Sequence, residues 1–282
     1  MVIPAYNVDT FIDEAVTSAL AQTHRDVEII VVNDGSTDGT ARRLAAFGDR
    51  IIVHYQANAG LPAARNAGVR RATGNWVAFL DADDAWLPHK LERQLRVADV
   101  PLVYSNRFNI GRRGELPAIH SDVTPQREGD VFLALLLEGN FMTASSVMMR
   151  RDLFEQMGGF CEHLKSAEDW DLWVRVAEHH RVGCCHEPLV RYRFHSGGMS
   201  RNHSVMRRER ARVVARALAL ERGRTIDWMM KRRIWAKAWM DTAWDAGHAG
   251  ARGPALVDYG RAAMAWPLSL RAYKEALKLC LP

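Results

Sequence analysis

WVAFLDADDAW, residues 76–86, runs from an apolar stretch straight into three carboxylates, Asp81, Asp83 and Asp84. Crowded anions repel one another and lose hydration when they are buried. Trp76-Val77-Ala78-Phe79-Leu80 therefore reads as a buried strand whose carboxyl end meets something positive. Side chains alternate along an extended chain, so Asp81 and Asp83 are expected to point the same way. Two such carboxylates suit a hard divalent cation, Mg²⁺ or Mn²⁺, which binds few protein oxygens and keeps coordination sites for phosphate. The alternative is a solvated acidic loop with Asp84 capping the next helix.

Working outward, apolar runs alternate with helical patterns. Val2-Ile3 begins a strand that Pro4 is expected to end, and Thr10 is placed to cap a helix. Val27-Glu28-Ile29-Ile30-Val31-Val32 reads as a buried strand, followed by the turn Asn33-Asp34-Gly35-Ser36. A helix over Thr37–Phe47, a strand over Ile51–Tyr55 and a helix from Pro62 to about Ala72 follow. Leu102-Val103-Tyr104 reads as a further strand. Strands separated by helices of this length predict an α/β fold with a mostly parallel, Rossmann-like sheet. Ligands of such sheets bind beyond the carboxyl ends of the strands. That rule gathers Pro4-Ala5-Tyr6-Asn7, Asn33-Asp34-Gly35-Ser36 and Asp81-Ala82-Asp83-Asp84 onto one edge.

The 282 residues, 48% hydrophobic and 25% charged, fit a soluble globular chain. No apolar run is long enough to span a bilayer, and the start lacks the pattern of a secretory signal. Cys161, Cys184, Cys185 and Cys280 show no CxxC spacing, which points to a reducing, cytoplasmic compartment. The net charge of +5 is uneven: residues 205–240 hold eleven Lys/Arg against three acids, an excess of +8. The division expected from this text is 1–203 and 204–282. The first part holds a nucleotide-binding portion (about 1–106) and an acceptor or catalytic portion (about 107–203); the second is a basic, tryptophan-rich helical appendage.

Six blocks occur in order: VIPAYN (2–7), VVNDGSTDGT (31–40), GLPAARNAG (60–68), FLDADD (79–84), AEDWDLWVR (167–175) and VRYRFHSGGMS (190–200). Together, over roughly residues 1–200, they resemble the family 2 glycosyltransferases, inverting enzymes of GT-A fold. The resemblance implies that Pro4, Ala5 and Tyr6 line a base pocket and that Asp34 hydrogen-bonds the base. It implies that Arg65 approaches base or phosphates and that Asp81 reaches ribose or metal-bound water. Asp83 would bind the metal on the diphosphate, Asp169 would be the catalytic base, and His195 would be a further metal or diphosphate contact. The implied partners are a nucleotide sugar, UDP-linked, and a glycan or lipid-linked glycan acceptor of the cell surface.

Each assignment has a plainer counterpart. Asp34 also suits a structural place in its turn, Asp169 a helix start favoured by the macrodipole, and His195 a hydrogen-bonded structural position. Glu168 is a rival base. Asn33 stands where many relatives carry a first aspartate, and Cys161 departs from a frequent Gly-Gly-Phe-Asp-Glu block. Three residues before Pro4 are short for a central strand, so either that strand is clipped or the protein begins earlier. Competing classes are a non-catalytic nucleotide-sugar-binding scaffold and a haloacid-dehalogenase-type phosphohydrolase. The latter leaves VIPAYN, NDGSTD and AEDWD without a part to play.

On a helical wheel Trp228, Trp235 and Trp239 fall within about 40° of one another. The stripe reads as a helix packed on the domain, or as an interfacial helix whose cations meet anionic lipid at the inner membrane face. Nucleic acid ranks last, since no recognised motif accompanies the charge.

Overall fold

The computed structural model describes residues 1–111, 118–119, 126–194 and 203–280. The elements begin with β1 (Val2–Ala5), α1 (Ile12–Leu20), β2 (Ile30–Asp34), α2 (Thr40–Ala45), β3 (Ile52–Gln56), α3 (Leu61–Val69) and β4 (Trp76–Ala78). Next come β5 (Ala85–Trp86), α4 (Lys90–Leu95), β6 (Leu102–Ile110), β7 (Ala118–Ile119), α5 (Phe132–Leu137), β8 (Val147–Arg150) and α6 (Arg151–Gln156). The last are α7 (Glu168–Ala177), β9 (Val182–Arg193), α8 (His203–Ala219), α9 (Glu221–Thr225), α10 (Trp228–His248), α11 (Arg252–Ala265) and α12 (Leu270–Cys280).

Two compact units result. The first gathers Met1–Val131, Phe141–His163 and His179–His195, and contains every strand among the described residues. In it β1, β2 and β3 form a parallel sheet, with Val2 opposite Ile30 and Ile30 opposite Ile52. Past β4 the chain runs beside β1: Phe79 bridges Val2 in parallel, and the Leu80 N–H donates to the Val2 carbonyl at 3.0 Å. The second sheet, ordered β4-β8-β6-β9-β5 with β7 on β6, is mixed; β6 lies parallel to β9 and antiparallel to β8.

Helices cover both faces of the parallel strands. Ile3 and Val31 join Ile12, Val16 and Ala19 of α1 and Leu44 of α2, while Ile30 and Val32 turn the other way onto Ala64 and Ala67 of α3. Burial on both faces is why residues 29–32 read as an unbroken apolar run. A fully buried Val or Ile contributes about 1.5–3 kcal/mol, against a β-propensity scale that spans only about 1 kcal/mol. Burial therefore decides this strand.

Several local expectations need correction. Pro4 does not end β1, which continues to Ala5 in register with Asn33. Alternation turns the Pro4 nitrogen to the side where Val2 pairs with Phe79, and pairing there ends before Pro4, so the missing N–H breaks no ladder bond. The four residues of β1 are all buried. Thr10 does not cap α1; Phe11 holds that position and makes no side-chain cap. Pro62 does lie in the first turn of α3, as its fixed φ favours.

The second unit comprises Phe132–Asn140, Leu164–Glu178 and Ser196–Pro282. It takes in two stretches that a boundary at residue 203 left with the first unit. Specific contacts hold them there: the Trp170 indole donates to the Leu135 carbonyl at 3.0 Å, and Arg216 of α8 donates to the buried Asp171 of α7 at 2.6 Å. Much of the basicity of residues 205–240 is spent inside this unit. Arg207 pairs with the buried Asp258, Arg210 with Asp245, Arg212 with the buried Glu209, and Lys237 with Asp241. Arg232 donates to the Met264 and Ala265 carbonyls. Trp235 and Trp239 stack at 5.9 Å, whereas Trp228 stays exposed. No helix among the described residues is long and apolar enough to cross a membrane.

Candidate active site

The polar ends of β1 and β2 are tied to one another. Asn7, at φ 51°, follows β1; its side-chain oxygen accepts from the Thr37 N–H at 2.8 Å, and its own N–H donates to the Ser36 hydroxyl. Pro4 and Ala5 are buried as strand residues, and only Tyr6 of that trio is exposed. In the turn after β2 it is Asn33, not Asp34, that accepts from the Ser36 N–H (2.9 Å). The variant Asn33 thus performs the turn function that the sequence left open for Asp34. Asp34 is buried and points toward the segment after β3, accepting from Gln56 Nε2 (2.7 Å) and from the Ala59 and Gly60 N–H groups (2.9 Å each). A carboxylate with two oxygens offers about four acceptor positions, so three bonds leave about one for a ligand donor.

The aspartate segment is a tight turn rather than an extended strand: the Asp84 N–H donates to the Asp81 carbonyl at 3.0 Å. The premise that extended geometry aligns Asp81 with Asp83 is therefore corrected. Exposure nevertheless alternates, with Ala82 and Asp84 buried and Asp81 and Asp83 partly exposed. Asp84 does not cap a helix, because β5 follows and α4 starts only at Lys90. It is instead an internal tie. Ser145 donates to Asp84 Oδ2 at 2.6 Å while accepting from the Asp81 N–H, and the Arg193 N–H donates to Asp84 Oδ1 at 2.9 Å. Burial, then the charges of Asp83 and Asp81, pushes the Asp84 carboxyl well above the usual range.

Part of the positive charge that the sequence demanded is protein. Arg65 of α3, 2% exposed, donates to Asp81 Oδ1 at 2.5 Å and lies over the Phe160 ring. Arg193 donates to the Asp83 carbonyl at 2.9 Å and pairs with Glu14. Ser145, Asp84 and Arg193 were not singled out from sequence as site residues. Their signal is long-range: Ser145 just precedes β8 and Arg193 ends β9, and no local pattern aligns either with the turn.

Among the described residues no group of three or more His, Cys, Asp or Glu could hold a metal. Asp81 and Asp83 remain as two partly exposed oxygen donors, a set that fits Mg²⁺ or Mn²⁺ completing their coordination with phosphate oxygens and water. His195 lies outside the described residues.

Asp169 belongs to the second unit and stands in the first turn of α7. The preceding Ala167 is left-handed (φ 59°, ψ 22°), a conformation costly for a residue with a Cβ. Asp169 Oδ2 accepts from Asn140 Nδ2 at 3.0 Å and Oδ1 from the Trp170 N–H at 2.7 Å. Of the two candidate bases, Glu168 is buried and Asp169 partly exposed.

Residues 1–158 match Glycosyl transferase family 2. The chain belongs to that family. An uncharacterized glycosyltransferase of Rickettsia conorii is 34% identical over 205 residues, 70% of this chain and 34% of that one. A second from Rickettsia prowazekii is 33% identical over 204 residues, 70% of this chain and 64% of that one. The chain thus spans 34% and 64% of these two relatives. TuaG of Bacillus subtilis, named for teichuronic acid biosynthesis, is 43% identical over 99 residues, 34% of this chain and 39% of its own length.

Solved glycosyltransferases share the fold of this family 2 chain. Staphylococcus aureus TarS 1-349 in complex with UDP-GlcNAc aligns with TM-score 0.68 at 17% identity, over 99% of this chain and 88% of that one. The mannosyltransferase PcManGT of Pyrobaculum calidifontis, in complex with GDP-Man and Mn²⁺, aligns with TM-score 0.61 at 18% identity, over 99% and 83%. These likenesses confirm the GT-A fold expected from the six blocks.

Proposed function

We propose that this family 2 glycosyltransferase is metal-dependent and inverting, and moves a sugar from a uridine diphosphate donor to an acceptor hydroxyl. The observation that carries this reading is the 81–84 turn. It presents Asp81 and Asp83 at the sheet rim while Arg65 and Ser145 hold that rim from behind. Asp34, with about one acceptor position left over, suits the single imide N–H of uracil rather than the paired donors of guanine. A divalent cation on Asp83 and Asp81 would offset charge developing on the departing diphosphate. Arg65 orients Asp81 for that contact. Asp169, held by Asn140, is our base: it takes the proton of the acceptor hydroxyl as that oxygen attacks the anomeric carbon.

The donor-bound neighbours, one of them with Mn²⁺, support a nucleotide-sugar donor and a metal, and the TuaG likeness supports a cell-surface glycan as acceptor class. The cytoplasm, where nucleotide sugars are made, is the proposed compartment.

Calorimetric titration with UDP tests the reading. Affinity is expected to require Mn²⁺ or Mg²⁺ and to fall about tenfold or more in Asp83→Ala, the loss of a charged ligand contact. Asp169→Asn is expected to keep nucleotide affinity while turnover drops by about 10²–10⁴. Equal UDP affinity in EDTA, or undiminished turnover in Asp169→Asn, would overturn the corresponding assignment.

A further inference from the structure

The apolar surface that stands out in the second unit is not the α10 tryptophan stripe. It is the outer side of α12 and the turn that leads into it. Leu268 and Leu270 are 76% and 82% exposed, and Leu277 is 64% exposed. A leucine left in water forgoes the stabilisation it would gain by burial, and three close together need a reason.

The helix has three arcs. Ala272, which is buried, and Leu279, which comes close to Gly247 of α10, mark the arc packed inside the unit. Leu270, Tyr273 and Leu277 lie opposite, within about 60° of one another. Arg271, Lys274 and Lys278 fill an adjoining arc of about 60°. Arg271 and Lys274 have no hydrogen-bond or ion-pair partner among the described residues; Lys278 has one, the neighbouring Glu275 at 2.8 Å. This separates α12 from residues 205–240, where several cations are held by buried acids or by backbone carbonyls.

We propose that α12 is an interfacial helix that lays Leu268, Leu270, Tyr273 and Leu277 into an anionic lipid surface, with Arg271, Lys274 and Lys278 at headgroup depth. The charge pattern selects this occupant. A cationic arc beside an apolar one complements anionic lipid, and long basic side chains bury their stems while keeping their charge wet. A second copy of the chain would set like charges against each other, and lysine is depleted at protein–protein interface cores. The inference is independent of the transfer reaction. It places membrane contact on α12 rather than on α10, whose tryptophan stripe reads in the sequence as either packed or interfacial and where Lys231 and Arg232 already donate to backbone carbonyls.

Co-sedimentation of the full chain with vesicles tests it, using neutral phosphatidylcholine and mixtures with phosphatidylglycerol. Wild-type binding is expected only with the anionic mixture and is expected to weaken with salt. Leu270→Glu/Leu277→Glu is expected to lower the partition coefficient about tenfold or more. Lys274→Glu, at an exposed position, is expected to lower it at least about fivefold, the effect of losing one basic residue near a charged surface. Unchanged thermal unfolding of the Lys274 variant keeps the comparison clean if the double variant folds poorly. Equal binding to neutral vesicles, no binding at all, or binding unaffected by Lys274→Glu would overturn the proposal. So would a concentration-dependent dimer, seen by light scattering, that the leucine variant abolishes.

Discussion

At the scale of single residues the molecule separates charges that work from charges that cost. Asp34 and Asp81 are each met by protein donors that fix their orientation. Lys90 is the opposite case. It is fully buried at the start of α4, and its Nζ has no hydrogen-bond partner among the described residues. The face of Trp86 lies 3.9 Å away. Such a contact is worth about 2 kcal/mol when desolvated, whereas burying an ion costs several. Burial wins and holds the amine well below its usual range. Between that lowered value and the ordinary 10.5, the unfolded chain keeps a proton that the folded chain has released, so stability rises with pH across that window. Lys90→Met, which fits the stem without the amine, is expected to stabilise the protein by about 2 kcal/mol at neutral pH. The pH dependence above neutrality should also flatten. Urea unfolding at pH 7 and pH 9 checks both, and a variant less stable at both would refute the account. Nothing in the local text Pro88-His89-Lys90 marks this lysine as buried, because the packing that encloses it is tertiary.

At the scale of elements, the parallel half of the fold was legible because its strands obey short-range rules: an apolar run, a turn, then a helix. Antiparallel β8 and the long β9 were not, since their partners are set by pairings more than forty residues apart in sequence. The same distance hid Ser145 and Arg193, whereas Asp81, Asp83 and Arg65 stood in recognisable blocks. The glycine pair after α6 shows how such remote parts are fixed. Asn66 of α3 donates to the Phe160 carbonyl and accepts from its N–H, both at 2.9 Å, and the Phe160 ring lies beneath the Arg65 guanidinium. Gly158 and Gly159 both have positive φ, 73° and 69°. A Cβ at Gly158 would meet nothing within 4 Å, while one at Gly159 would stand 2.7 Å from Asn66 Oδ1 and 3.1 Å from the Phe154 ring. Gly158→Ala should therefore cost only the left-handed conformation, about 1 kcal/mol. Gly159→Ala adds overpacking and should cost about 3 kcal/mol. UDP affinity is expected to fall only in the second variant, as the support of Arg65 and Asp81 shifts. Equal losses of stability in both would show that the Asn66 clamp is not what fixes this turn.

At the scale of the whole molecule, charge was the least transparent property of the sequence. Composition locates the excess of +8 correctly between residues 205 and 240 but cannot say where those side chains point. Much of it turns inward, toward acids that lie outside that window. Asp258 of α11 is fully buried and accepts from Arg207 at 2.7 Å, Arg261 at 3.2 Å and Thr242 at 3.2 Å, so it ties α8, α10 and α11 together. Asp171 does the same between α7 and α8, accepting from Arg175 and Arg216. These pairs explain why residues 164–178 group with the C-terminal helices, against the boundary expected at 203. The charge excess is thus internal architecture before it is surface potential. If that is right, removing one buried acid should matter more than removing several exposed cations. Asp258→Asn keeps the shape but weakens the pairing of two partly exposed guanidinium groups, and is expected to destabilise the second unit by about 2 kcal/mol. Adding Arg207→Met should recover part of that loss, because the more weakly paired cation goes with it. Thermal unfolding of the single and double variants measures the difference. A single variant within about 0.5 kcal/mol of wild type, the range of ordinary surface substitutions, would mean that the helices hold by apolar packing alone and that the buried acids are incidental.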